Sequence, residues 1–397
     1  MKKRILSVVL AAAMALGLTA CGSGGSSAAS KSEAASGSSA AASAEVESVS
    51  MPEESGDYRS DIHIGYNHQM AGDWIAEFVD KEVASFVKGV MGFQYSDPAF
   101  NFDSDQELAD CQNLISAGVD GHIYYAAFDT LTPTVSDLFQ DAQIPLVIPE
   151  NKPGDESMQI LMDNPYFAGA IFADYYGRGF MLGKAAAEKG CKNAIILAGT
   201  IGVWGQDESY AGFKDGFEEN GGTVLEAARV NDNSEATQAA NDLFAAHGNE
   251  ADCVYASDPG MLEACFNANN TYNLDLMAFG SDLGADHVQK VRDGKLIADG
   301  GHVPLFAVVA TLLVNYIDGH PIKDADGKAP VFDNWEFFYI DDTNVDDYEE
   351  YYLNKNQHIS AEDYQSLLYR YNPDVTYEDY EKFIENYSLD YVVANAK

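Results

Sequence analysis

The chain has 397 residues, 46% hydrophobic and 12% aromatic, and sets 23 Lys+Arg against 63 Asp+Glu for a formal net charge of −40. A surface that acidic repels phosphate backbones and anionic headgroups, which excludes nucleic-acid binding and a polybasic membrane patch. The apolar content argues against disorder and provides a core for two or three units of ordinary domain size. The chain opens with Lys2-Lys3-Arg4, an apolar run from Ile5 to Leu18 and the small residues Thr19 and Ala20. That order predicts a secretory signal over residues 1–20, with an apolar run too short to span a bilayer.

The four residues ending at Cys21 resemble the lipobox of bacterial lipoproteins. The resemblance implies a Cys21 carrying a palmitate-type lipid and a chain held on the outer side of the cell membrane, on a Gram-positive-type surface or in a periplasm. From Gly22 to about Ser50 the sequence is almost all Ser, Ala and Gly, so residues 21–57 are expected to be a flexible tether. The remaining cysteines, Cys111, Cys191, Cys253 and Cys265, lack the close spacing of a metal or redox site and read as free core residues.

From Asp61 short apolar runs alternate with helical periodicity. Ile62–Gly65, Val119–Tyr125 and Ile144–Ile148 read as strands, with helices over Trp74–Val90 and Gln106–Ser116 and a further one around Leu138 and Phe139. A second set follows, with helix Ala168–Lys189 leading strands Asn193–Ala198, Thr223–Ala228, Cys253–Ala256 and Leu276–Phe279. This rhythm predicts an α/β protein of two doubly wound parallel-sheet lobes. The run Val303–Ile317 is a core helix, and the acidic, Tyr-rich residues 349–397 form an extra helical C-terminal segment packed on the lobes.

Ile115–Gly121, Ile144–Val147, Met162-Asp163-Asn164 with Gly169, Gly212-Phe213, Phe279–Asp282, Gly319–Ile322 and Thr343–Tyr348 occur in one order and spacing over residues 61–345. In that order they resemble the type I periplasmic (solute-binding) proteins, the ribose- and galactose-binding group that serves ABC importers. The resemblance implies a three-crossing hinge near Asp163, Gly300 and Asp333–Asp341. It places residues 58–163 with 301–332 in an N-terminal lobe, and 164–300 with part of 333–348 in a C-terminal lobe and hinge. It further implies ligand in the cleft between lobes, where loops leave the carboxyl ends of the strands.

On that pattern the ligand-binding candidates are Asn67, His68, Gln69 and Trp74 after the first strand and Glu150-Asn151 after Val147. Trp204, Asp207, Asp258, Asp282 and His302 complete the set. Two arginines of the sugar-binding relatives are missing from their places, so the cleft is expected to be acidic and to favour neutral or cationic solutes. No catalytic, metal or cofactor motif is present. The expected function is capture of a small neutral solute, with a sugar favoured, and its delivery to an ABC permease by a monomeric lipoprotein. A same-fold ligand sensor for a signalling receptor, or a binder of nucleosides or cationic molecules, is the alternative.

Overall fold

The computed structural model describes residues 49–72, 74–231, 233–355 and 357–395. The signal segment, Cys21, the tether up to residue 48 and the Trp74 side chain lie outside the described residues. The first run of elements is β1 (His63–Asn67), α1 (Trp74–Ala84), β2 (Gln94–Ser96), α2 (Ser104–Ala117), β3 (Gly121–Tyr124), α3 (Thr132–Ala142), β4 (Leu146–Glu150), α4 (Asp155–Asp163) and β5 (Phe167–Ala173). The second is α5 (Tyr175–Glu188), β6 (Asn193–Ala198), α6 (Trp204–Glu219), β7 (Thr223–Arg229), α7 (Asn233–His247), β8 (Cys253–Ala256), α8 (Pro259–Thr271), β9 (Met277–Ser281), α9 (Ala285–Arg292) and β10 (Leu296–Gly301). The chain closes with α10 (Leu305–Ile317), β11 (Val331–Trp335), β12 (Phe338–Asp341), α11 (Val345–Tyr348), α12 (Ala361–Leu367), α13 (Tyr377–Asn386) and α14 (Leu389–Asn395).

The strands form two six-stranded sheets with one repeated order, β2-β1-β3-β4-β5-β11 and β7-β6-β8-β9-β10-β12. Every pairing is parallel except β10 with β12. Strands β4 and β9 therefore hold equivalent places, and their carboxyl ends open on the same kind of crevice. The chain passes between lobes three times, at Ala173–Tyr175, at Gly301–Leu305 and at Trp335–Phe338.

The first crossing lies about ten residues later than the sequence pattern placed it, because Phe167–Ala173 is a buried strand of the first sheet and not the start of a helix. Helix α5 starts only at Tyr175, where the Asp174 side chain accepts a hydrogen bond from the Gly177 N–H at 2.7 Å. Gly169, with φ 141°, allows β11 to lie close, since a side chain there would meet the Pro330 carbonyl at 2.9 Å.

Helices α5 and α6 pack along facing glycines. A methyl group on Gly179 or Gly183 would collide with the carbonyl oxygens of Ser209 or Phe213, and one on Gly212 or Gly216 with those of Tyr176 or Phe180. Backbone cannot yield as a flexible side chain does, so Gly183→Ala is expected to cost about 3 kcal/mol despite its gain in helix propensity. Circular-dichroism melting checks this, and a variant melting within a degree of wild type would contradict the packing argument.

Helix α10 is buried on nearly all sides against β3, β4 and β5. Its polar exceptions serve the C-terminal segment. Asn315 donates to the Leu367 carbonyl (2.8 Å) and accepts from the Tyr369 N–H (2.8 Å), and Thr311 shares a hydrogen bond with the Tyr380 hydroxyl (2.7 Å). Phe332 stacks on Tyr377 at 4.8 Å, and Trp335 meets Phe383 and Tyr387 edge-on. Residues 49–57, expected to be tether, are also bound to the body. Val49 donates to the Gly89 carbonyl at 3.0 Å, Ser55 donates to that of Arg370 at 2.6 Å, and Val49 and Met51 pack against the core. The four described cysteines are buried and free.

Candidate functional site

Glu150 is the last residue of β4, and Asp282 follows the last residue of the equivalent strand β9. Both have left-handed backbones, φ 66° and 63°, a conformation that costs a non-glycine residue about 1 kcal/mol or more and gathers at functional sites. Each carboxylate is engaged by α5, the helix that begins at the first crossing. The Tyr175 hydroxyl donates to Glu150 across the lobes, and Arg178 Nη1 donates to Asp282 Oδ1 at 2.8 Å. Trp204 sits edge-on to Tyr175 (5.5 Å) and to Phe172 of the first lobe (6.4 Å). Tyr125, after β3, stacks on Phe306 at 6.2 Å and lies within electrostatic reach of Glu150.

Burial pushes the Glu150 carboxyl above its ordinary range, with the Asp282 charge adding to the rise, while Tyr175, His302 and Arg178 oppose it. Burial works against the Arg178 charge, but Asp282 and the other acidic groups around it together keep the guanidinium protonated. Asp299, fully buried behind Asp282, is pushed well up, first by burial and then by that carboxylate. The floor therefore holds a paired charge at Asp282–Arg178 beside a carboxyl that is costly to ionise. The two family positions lack arginine, as the sequence shows, and Arg178 of α5 brings one to Asp282 from a different place.

The other sequence candidates lie as follows. Asn67 is 0% exposed, and its amide pairs with both backbone groups of Tyr125 at 3.1 and 3.3 Å, tying β1 to β3. His68 is buried in a backbone bridge beside Ala99, and Gln69 accepts from Tyr66 at 3.3 Å. Asp207 accepts from the Gly202 N–H (2.8 Å) and pairs with Arg229 (2.6 Å), so it builds its own loop. Asp258 caps α8 through the Gly260 N–H at 2.8 Å. Tyr125, Tyr175, Arg178 and Ser209 were not among the candidates. An Arg set between two glycines on a helix face was the available signal for Arg178.

His302 is buried beside Glu82. Its Nε2 lies 3.7 Å from Glu82 Oε2, the same oxygen that His358 Nδ1 approaches at 3.5 Å, and all three side chains are buried. Burial alone would raise the Glu82 carboxyl, but His302 and His358 hold it below its ordinary 4.5. Burial would likewise lower His302, but Glu82, then Glu150 and Asp282, hold it above 6.5. A lowered carboxyl gives stability that is lost as pH falls through its folded pKa. A raised histidine gives stability that is present below 6.5 and lost as pH rises through its folded pKa. Two other buried carboxyls, Asp80 at about 6 and Glu107 at about 8, also destabilise the fold as they ionise. Asp80 costs its stability below about pH 6, Glu107 up to about pH 8 and His302 above 6.5. The melting temperature is therefore expected to keep falling up to about pH 8, and Glu82→Gln to flatten the part above 6.5. A slope equal to wild type would remove the Glu82–His302 pair as its source.

Three comparisons bear on this geometry. The family model described as the periplasmic binding protein domain matches residues 67–319, more than half of the chain. No curated protein matches the sequence. Among solved structures, the chain is similar to the periplasmic binding component of the arabinose ABC transporter from Shewanella sp. ANA-3, bound to alpha- and beta-L-arabinofuranose. That match has a TM-score of 0.63 and 16% identity, over 72% of this chain and 95% of that one. It is similar to a galactofuranose-binding protein with a TM-score of 0.65 and 14% identity, over 74% and 99% of the two chains. A third is an ABC transporter solute-binding protein from Bacillus halodurans C-125 with bound myo-inositol, with a TM-score of 0.61 and 19% identity, over 73% and 98%.

Proposed function

The chain belongs to the periplasmic binding protein domain family, and from that premise we propose that it captures a small neutral sugar or polyol between its lobes. In this reading it acts outside the cytoplasm, held by a lipid on Cys21, and presents the closed form to an ABC importer permease. The observation that carries the proposal is the facing of Glu150 and Asp282 from equivalent strand ends, each bound to α5 at the hinge.

Carboxylates in this setting accept hydrogen bonds from hydroxyl groups, and charged acceptors make the stronger bonds. The rings of Tyr125, Tyr175 and Trp204 offer apolar faces for the C–H surface of a ring-shaped ligand. A solute touching both carboxylates gains all its contacts only when the lobes meet, so binding shifts the population toward closure. The arabinofuranose and myo-inositol held by two similar structures, and the galactofuranose for which a third is named, are uncharged polyhydroxy rings, which suits this chemistry. Arg178 already balances Asp282, which favours neutral ligands over cations.

The test is a thermal-shift screen of residues 49–397 against pentoses, hexoses, inositols, nucleosides and amines, followed by calorimetry. A ligand that binds only the native state raises the melting temperature by about 2.7 kcal/mol worth of stability at 100 times its Kd. A sugar or polyol hit is the expected result. A screen in which only amines or nucleosides shift the melt would overturn the reading.

A further inference from the structure

Arg178 lies on the buried face of α5 and is 2% exposed, yet its side chain lies against a residue in or next to each of the three crossings between the lobes. The guanidinium carbon sits 4.7 Å from the ring centre of Tyr175, at the end of the first crossing, and 4.3 Å from that of Phe337, within the third. Its stem fills the space over Gly300, just before the second, where a Cβ would come 2.5 Å from Arg178 Cδ. Nη1 reaches Asp282 at 2.8 Å, Nη2 reaches Ser209 Oγ at 3.2 Å, and the buried Nε has no partner. A flat, always-charged fork held between two rings is pre-organised for a carboxylate, and Asp282 now supplies it.

We propose that Arg178 is the specificity-determining residue of the cleft, which excludes acidic sugars because Asp282 occupies its fork and which links ligand contact at Asp282 to the hinge. The inference rests on the sugar-binding reading and deepens it. Arg178 is a positioning residue for Asp282 in the native chain. Its rigid setting means that removing the Asp282 charge leaves a fixed guanidinium needing an anion. A ligand carboxylate can then take the vacated place.

Asp282→Asn is the variant to make, because asparagine adopts the left-handed backbone more readily than other non-glycine residues. Asp282→Ser, smaller and also uncharged, serves if the first folds poorly. Binding of D-galactose and D-galacturonate, and of D-glucose and D-glucuronate, is compared by calorimetry for wild type, Asp282→Asn, and Asp282→Asn combined with Arg178→Gln. The expected result is that wild type prefers the neutral member of a pair and that Asp282→Asn reverses the preference by roughly tenfold or more in Kd. The double variant should lose the gained uronate affinity, and Arg178→Lys in the same background should keep part of it, an outcome that a purely structural arginine does not produce.

A wild type that binds neutral sugar while Asp282→Asn keeps the same preference overturns the assignment of Arg178. A wild type that binds no sugar while Asp282→Asn gains uronate sustains the assignment and overturns the neutral-sugar reading instead. Small-angle scattering without ligand adds an independent measure. Arg178→Gln should enlarge the radius of gyration by freeing the three crossings, and an unchanged radius counts against the hinge link.

Discussion

Glu150→Gln is expected to weaken binding of the neutral sugar by about 30-fold, or about 2 kcal/mol, and at the same time to raise the melting temperature of the ligand-free protein at pH 8. The affinity loss follows from replacing a charged acceptor by a neutral amide that returns a donor toward the ligand's hydroxyls. The stability gain follows from linkage. Burial, with Asp282 adding to it, raises the Glu150 carboxyl above its ordinary 4.5. The folded state therefore disfavours the ionised form, and native Glu150 destabilises the protein progressively as pH rises through its folded pKa. Glutamine carries no such penalty, so the difference should be present at pH 8 and vanish below about pH 4.5, where both states are protonated. Calorimetry for affinity and fluorescence melts at two pH values separate the effects. A variant that lost affinity and stability together would point to damaged structure at the φ 66° position and not to a lost acceptor.

How much of this was legible in the sequence depends on whether a residue's role is local. The alternation of buried strands and helices is local, so both sheets and most helices follow from apolar runs such as Ala194–Ala198 and Leu146–Ile148. Strand β5 reads as helix because its alanines suit a helix and strands are poor in Ala and Gly, and only its place between β4 and β11 makes it a strand. Strand-end position singles out Glu150 and Asp282, and the structure binds both to α5. Asn67 and Asp258 fit the same criterion but serve backbone groups, since short polar side chains at strand ends readily tie down neighbouring N–H groups. Arg178 has only its flanking glycines as a local signal, because its meaning arises from three segments far apart in the chain meeting at one guanidinium. The same holds for Glu82, whose partners His302 and His358 come from the hinge and the C-terminal segment.

The C-terminal segment allows the largest stability effect to be argued from one side chain. Arg370 makes a two-pronged pair with Asp318, at 2.6 Å through Nε and 2.9 Å through Nη2. It also reaches Glu54 (3.0 Å) and the Arg59 carbonyl (2.8 Å), while Tyr58 and Phe93 cover its face at 5.2 and 5.0 Å. One guanidinium thus joins the C-terminal segment, the end of α10 and the strap of residues 49–59. Arg370→Met keeps the bulk and removes the charge, leaving Asp318 2% exposed without its partner. Breaking a buried pair on one side costs about 3–5 kcal/mol, so the melting temperature should drop by about 10 °C. Asp318→Asn added to Arg370→Met should recover part of that loss, because it removes the stranded charge. Burial already raises the Asp318 carboxyl against the pull of Arg370. Without the arginine it rises further, so the deficit of Arg370→Met must be greater at pH 8 than at pH 5. Trypsin should also cut sooner after Arg59, whose carbonyl loses its donor and whose strap loses its anchor. A melt within 2 °C of wild type at pH 8, or a deficit independent of pH, would place the adhesion of the C-terminal segment in the Tyr380–Asn315 network on α10 instead.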